Sequence, residues 1–152
     1  MDTRELRTVL AAVVDPEIPV LTIADLGILR DVTEDRNGSV RVTITPTYSG
    51  CPAMDHLRRA IERTLIAAGY DEIEIITTFE PPWTTDWMTD EGRRKLTEYG
   101  IAPPRQHPGE PILCPQCRSA SSRVVSEFGA TACKALHVCS ACGEPFDHFK
   151  EI

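Results

Sequence analysis

Four cysteines near the C-terminal end stand as two Cys-x-x-Cys pairs, Cys114/Cys117 and Cys139/Cys142. Two residues between cysteines let both thiolates of a knuckle face one tetrahedral ion. A second knuckle supplies the other two ligands, so the spacing predicts a structural zinc site of the ribbon type, with a hairpin between the knuckles. A rubredoxin-like iron site or two unrelated pairs would use the same spacing. A disulfide framework fits less well, because Met1-Asp2-Thr3-Arg4-Glu5 lacks the apolar run of a secretory signal. The expected compartment is the reducing cytoplasm.

Cys51 is the second residue with chemical potential. It lies in Thr47-Tyr48-Ser49-Gly50-Cys51-Pro52, where Pro52 suits the first position of a helix. A cysteine at a helix N-terminus has its thiolate stabilised by unpaired amides and the dipole, and can ligate iron or attack an electrophile. The alternative is a small apolar packing residue. Asp15, Glu17 and Asp25 put three carboxylates in one loop region, suited to a hard metal or to acid–base work; the competing role is to hold turns. Trp83 and Trp87 follow Pro81-Pro82 and either border a partner surface or seal the sheet edge. Cys133 is read as packing inside the ribbon. His137 is set aside because four thiolates complete a tetrahedron, and His56 and His148 have no evident partner.

These residues need elements to hold them. Leu6, Val9, Leu10 and Val13 recur at helical spacing, which predicts a helix over 3–14 with Asp2 and Glu5 as a capping box and Pro16 as the stop. Residues 28–34 and 39–45 read as strands joined by an Asp35-Arg36-Asn37-Gly38 turn. Met54, Leu57, Ile61 and Leu65 make the stripe of a helix over 53–68, with Gly69 at its end. Residues 71–79 form a third strand carrying Ile73 and Ile75 inward. The order helix–strand–strand–helix–strand predicts an α+β unit with helices on one sheet face. A short helix follows over 90–99. The expected organisation is a domain over 1–100, a proline-rich linker over 101–112 and a ribbon over 113–152.

Charge narrows the function classes. The formal net charge is −7. Residues 1–112 hold 12 Lys and Arg against 19 Asp and Glu, whereas residues 113–152 hold four of each. A nucleic-acid-binding ribbon needs a basic surface to neutralise phosphates, so no nucleic-acid partner is expected. No apolar run approaches a membrane span. The sequence has no Gly-rich phosphate loop, Gly-x-Ser-x-Gly, His-Glu-x-x-His or paired Glu-x-x-His. A nucleophilic Cys51 would need a base, and His56, five residues on, points to another side of the helix.

Asp15-Pro16-Glu17-Ile18-Pro19, Asp25-Leu26-Gly27, Gly50-Cys51-Pro52 and Pro81-Pro82-Trp83, in this order, resemble the SufT/MIP-type iron–sulfur-assembly domain. The ribbon, with Phe128 to Leu136 between the knuckles and Glu144-Pro145-Phe146 after them, narrows the resemblance to the PaaD (PaaJ) family, over nearly the whole chain. The resemblance implies an iron–sulfur-assembly-type α+β fold plus a ribbon, and a role in aerobic phenylacetate breakdown beside a multicomponent phenylacetyl-CoA epoxidase. It implies a non-catalytic accessory factor that helps install an iron–sulfur cluster in the flavoprotein reductase; the alternative is a stoichiometric structural subunit bound to the oxygenase subunits. By the same resemblance Cys51 is the exposed functional cysteine and Asp15, Glu17 and Asp25 are its acidic loop. The ribbon, absent from the general assembly domain, is expected to serve partner recognition. One Cys51 cannot fill the four thiolate positions of a cluster, so any transient cluster would be shared across a homodimer or with a partner.

Overall fold

The computed structural model describes residues 2–47, 53–129 and 131–152, which divide into two compact units, residues 1–89 and 90–152. Cys51, with Tyr48 to Pro52, lies outside the described residues.

The first unit begins with α1 (Thr3–Ala11). Asp2 accepts from the Glu5 amide and the Glu5 side chain accepts from the Asp2 amide, the capping box that the sequence predicts. Leu6 and Leu10 are its buried stripe. The helix stops at Ala11 rather than at residue 14, because Val14 already bridges to Thr22 as extended backbone. A four-residue helix, α2 (Ile23–Leu26), follows where the sequence pattern predicts only loop. Its capping box, the second in this unit, pairs Thr22 with Asp25. Gly27 closes it at φ 75°, and a β-carbon there would lie 2.6 Å from the Trp87 carbonyl oxygen, so this position needs glycine on two counts.

Strands β1 (Leu29–Glu34), β2 (Val40–Ile44) and β3 (Ile73–Thr77) form a sheet in the order β1-β2-β3. β1 and β2 are antiparallel with Val32 opposite Val42, and β2 and β3 are parallel with Val42 opposite Ile75. A parallel pair needs a long crossover, and α3 (Met54–Ala67) supplies it. Leu57, Ile61 and Leu65 are buried as the stripe requires. Arg58 ties α3 to β3, donating to Thr77 Oγ1 at 2.9 Å and to the Ile75 carbonyl at 3.2 Å. Ile73 and Ile75 are only half-buried, since β3 is a sheet edge. A single 3-10 turn, Thr85–Trp87, ends this unit.

The second unit differs from the expected boundary. α4 (Asp90–Glu98) belongs to it, and Ile101–Ala102, expected to be linker, is strand β4, paired in parallel with β7 (Pro145–Phe149). The prolines that suggest a linker begin only at Pro103, and Ala102 is buried. β5 (Ser122–Ser126) and β6 (Lys134–Cys139) form the antiparallel hairpin between the knuckles, giving a sheet in the order β4-β7-β6-β5.

Candidate metal centre and acidic-loop groove

The cysteine knuckles are built alike. Cys114 and Cys139 are each followed four residues later by an amide that returns to their carbonyl: Arg118 N–H to Cys114 O and Gly143 N–H to Cys139 O, both 2.9 Å. Each returning residue is left-handed, Gly143 at φ 79° and Arg118 at φ 64°. This turn aims both sulfurs of a knuckle one way. Cys114 Sγ lies 3.8 Å from Cys142 Sγ, and Cys117 Sγ lies 3.5 Å from Cys139 Sγ. All four sulfurs are within 4.8 Å of one another. Sulfurs placed about 2.3 Å from a tetrahedral zinc stand about 3.8 Å apart, so the set fits that ion.

Protonation behaviour agrees with a cation requirement. The Cys142 amide, helped by that of Ala141, holds the Cys139 thiol down to about 6. The Glu144 amide favours thiolate at Cys142, yet burial and the three surrounding sulfurs push that thiol up to about 12. Four thiolates this close repel one another unless a divalent ion sits among them. Cys133 is outside the group: it is buried, with its sulfur 3.0 Å from Thr131 Oγ1.

Among the described residues these four cysteines are the one set of three or more Cys, His, Asp or Glu side chains placed to hold a metal. The acidic loop is arranged otherwise. Asp15 Oδ1 accepts from the amides of Glu17 at 2.8 Å and Ile18 at 2.9 Å, which closes the turn through Pro16. Asp25 is buried, and its Oδ2 accepts from the Thr22 amide at 3.0 Å as part of the α2 cap. Pro16 and Glu17 do line a shallow groove with Ala53 and His56 at the start of α3. Ala53 is the N-cap residue and gives α3 no side-chain cap. His56, which has no evident partner in the sequence, thus faces the same groove as Glu17. Trp83 is corrected by the structure: it is 3 % exposed, and its indole Nε1–H donates to the Leu26 carbonyl at 2.8 Å, so it is core rather than partner surface. Trp87 is half-buried, with the Arg30 guanidinium 3.9 Å above its ring.

Two family descriptions match the chain. The description "PaaD zinc beta ribbon domain" fits residues 103–150, and "Iron-sulfur cluster assembly protein" fits residues 3–75. A protein of Escherichia coli (strain K12), provisionally named as one of the subunits of 1,2-phenylacetyl-CoA epoxidase, is 49% identical over 97% of this chain and 92% of its own length. The chain belongs to the PaaD family. A second relative of this PaaD-family chain, an "Fe-S protein maturation auxiliary factor" of Porphyromonas gingivalis, is 38% identical over 61% of this chain and 85% of its own. The crystal structure of a domain of unknown function, DUF59, from Bacillus anthracis superposes with a TM-score of 0.58 at 31% identity, over 62% of this chain and 90% of that one. The expected fold, an iron–sulfur-assembly-type α+β domain with a C-terminal zinc ribbon, is thereby established for the PaaD-family chain.

One network has no counterpart in the sequence-based expectations. His148 on β7 is buried between Ala135 on β6 and Ala102 on β4, and its Nε2 lies 3.6 Å from Glu151 Oε1. His137 stacks on Phe146 at 5.5 Å and meets His148 edge-on at 5.4 Å. Arg105 Nε donates to Glu151 Oε1 at 2.5 Å. The signal was present: strand alternation puts His148 on the same face as Phe146. Burial, reinforced by the Arg105 charge, holds His148 down to about 4 although Glu151 pulls the other way. The unfolded imidazole titrates near 6.5, so between about pH 6.5 and 4 the unfolded chain binds the extra proton. Stability from the neutral imidazole is complete above about pH 6.5 and is lost as pH falls, by about 2–3 kcal/mol at pH 4. His148→Leu should flatten this part of the acid dependence in urea melts of the second unit. A variant whose melts change between pH 7 and 5 as steeply as the parent's would contradict it.

Proposed function

We propose that this chain is a non-catalytic accessory protein of a phenylacetyl-CoA epoxidase system, and that it assists insertion of an iron–sulfur cluster into the reductase component of that system. The observation that carries the reading is the pairing within one chain. Its first unit matches a family of iron–sulfur cluster assembly proteins and relatives named as Fe-S maturation factors, while the full length matches a protein named as part of an epoxidase. The groove of Pro16, Glu17, Ala53 and His56 supports a working surface in the first unit. It joins Glu17 of the acidic loop to Ala53, the residue two places after Cys51 in the sequence. In this reading Cys51 is the thiol that contacts iron or cluster in transit, and Asp15 and Asp25 hold the loop in shape. The zinc ribbon, through Cys114, Cys117, Cys139 and Cys142, is structural and directs the choice of partner.

Cys51→Ala tests it in cells. The variant should accumulate and fold normally, because the buried face of α3 uses Leu57, Ile61 and Leu65. Growth on phenylacetate should be lost, and the purified reductase should lack most of its iron while retaining flavin. A strain that grows fully, with an iron-replete reductase, would return Cys51 to a packing role. Gene deletion with an iron-replete reductase, and this chain in fixed ratio in the purified oxygenase, would favour a structural role within the complex instead.

A further inference from the structure

The second unit contains a cavity of about 190 Å³ whose walls include Pro104, Ile112 and Leu113 and whose charged lining includes Arg93, Arg105 and Arg118. Three guanidinium groups against one carboxylate, Glu110, is an unusual lining for a chain of net charge −7. The charges are not equivalent. Arg105 is neutralised by Glu151, and Glu110 Oε2 accepts from the Gln106 amide at 3.2 Å. Arg93 is fixed in place by donating through Nη1 to the Pro104 carbonyl at 3.0 Å. Arg118 makes no side-chain hydrogen bond or ion pair among the described residues; its backbone amide alone is engaged, on Cys114. The second knuckle places glycine where the first places Arg118, both left-handed. The metal turn therefore does not call for arginine there, and the exposed Arg118 side chain lines the cavity.

We infer that this cavity is a docking site for a carboxylate side chain on an apolar, extended segment of a partner protein, with Arg93 and Arg118 as its anion clamp. Cavities for drug-sized ligands run to roughly 300–1,000 Å³, so this one takes a single side chain and not a coenzyme A ester. Arginine recognises carboxylate through paired N–H donors, and proline, isoleucine and leucine walls suit the neighbouring apolar residues. Nucleic acid fits less well, because the lining has no aromatic ring for base stacking and the chain as a whole repels a polyanion.

The test uses the full zinc-loaded chain, isotope-labelled for amide NMR. The probe is a short peptide, acetylated and amidated at its ends, with one Glu flanked by Leu residues; its Gln counterpart is the control. The Glu peptide should shift the amides of Arg93, Thr97, Ala102, Leu113 and Arg118, and the Gln peptide should bind at least tenfold more weakly. Arg118→Gly suits the left-handed turn, so zinc content and melting should be retained while Glu-peptide affinity falls at least tenfold. Leu113→Ser, at a wall residue that is 42 % exposed, should weaken the peptide without affecting the fold, and decides the matter if Arg118→Gly releases zinc. Absence of shifts, equal binding of the two peptides, or parental affinity in both variants would overturn the assignment.

Discussion

Cys114→Ser is expected to unfold residues 90–152 while residues 2–89 keep their secondary structure. The reason is the composition of the second unit's interior. Besides Leu96, Ile101, Ala135 and Phe149, its interior holds a cluster of Ala102, Cys114, Cys139 and Phe146 with Ile112 packed against it, so two of that cluster's four buried members belong to the four-cysteine set. A unit this short, with part of its interior made of those cysteines, depends on the ion they hold to offset the conformational entropy of ordering it. Structural zinc sites contribute about 10–16 kcal/mol of apparent binding free energy at neutral pH, more than the usual net stability of a small domain. Loss of one thiolate removes most of that. Elemental analysis of the parent should give one zinc per chain. Amide NMR of the variant should show collapsed dispersion for β4 to β7 and unchanged peaks for α1, β1 and β2. A parent without zinc, or a variant with a folded second unit, would contradict the metal assignment; loss of the first unit as well would contradict separate cores.

The largest single-residue effect in the first unit is expected at Trp83. Trp83→Ala should cost about 3–5 kcal/mol, the usual range for removing a buried large aromatic side chain. The indole fills space beside α2, and its N–H satisfies the Leu26 carbonyl at the end of that helix. Trp83→Phe restores part of the volume but leaves that carbonyl without its donor, which should cost about 1–2 kcal/mol. Urea denaturation followed by amide signals of the first unit separates the two variants. If Trp83→Ala instead melts like the parent while support for phenylacetate growth is lost, the tryptophan acts at a partner surface and not in the core.

The two tryptophans show where local reading ends. Their spacing after Pro81-Pro82 is compatible with a partner surface or a sealed edge, and nothing nearby in the chain distinguishes them. The deciding partner of Trp83 is Leu26, 57 residues away. The carboxylates show a middle case. The turn chemistry of Asp15 before Pro16 is legible because the Asx turn is local, whereas the capping of α2 by Thr22 and Asp25 is not, because a four-residue helix has too few positions for a periodic stripe. Cys51, the residue on which the proposed role turns, is read from its Gly-Cys-Pro setting, and its side chain lies outside the described residues.

By itself the sequence determined the elements whose physics is local. Two residues between cysteines aim two sulfurs together in any knuckle, the α3 stripe faces one way wherever the helix packs, and the turn between β1 and β2 needs Gly38 at φ 86°. Tertiary structure alone decided that Ile101–Ala102 is a strand of the ribbon sheet, that His148 is buried neutral beside Glu151, and that Arg93 and Arg118 line one cavity. Each of those depends on segments tens of residues apart meeting through sheet pairing or loop closure. The free energy of such a meeting comes from burial shared by both segments, so no window of either one carries the signal.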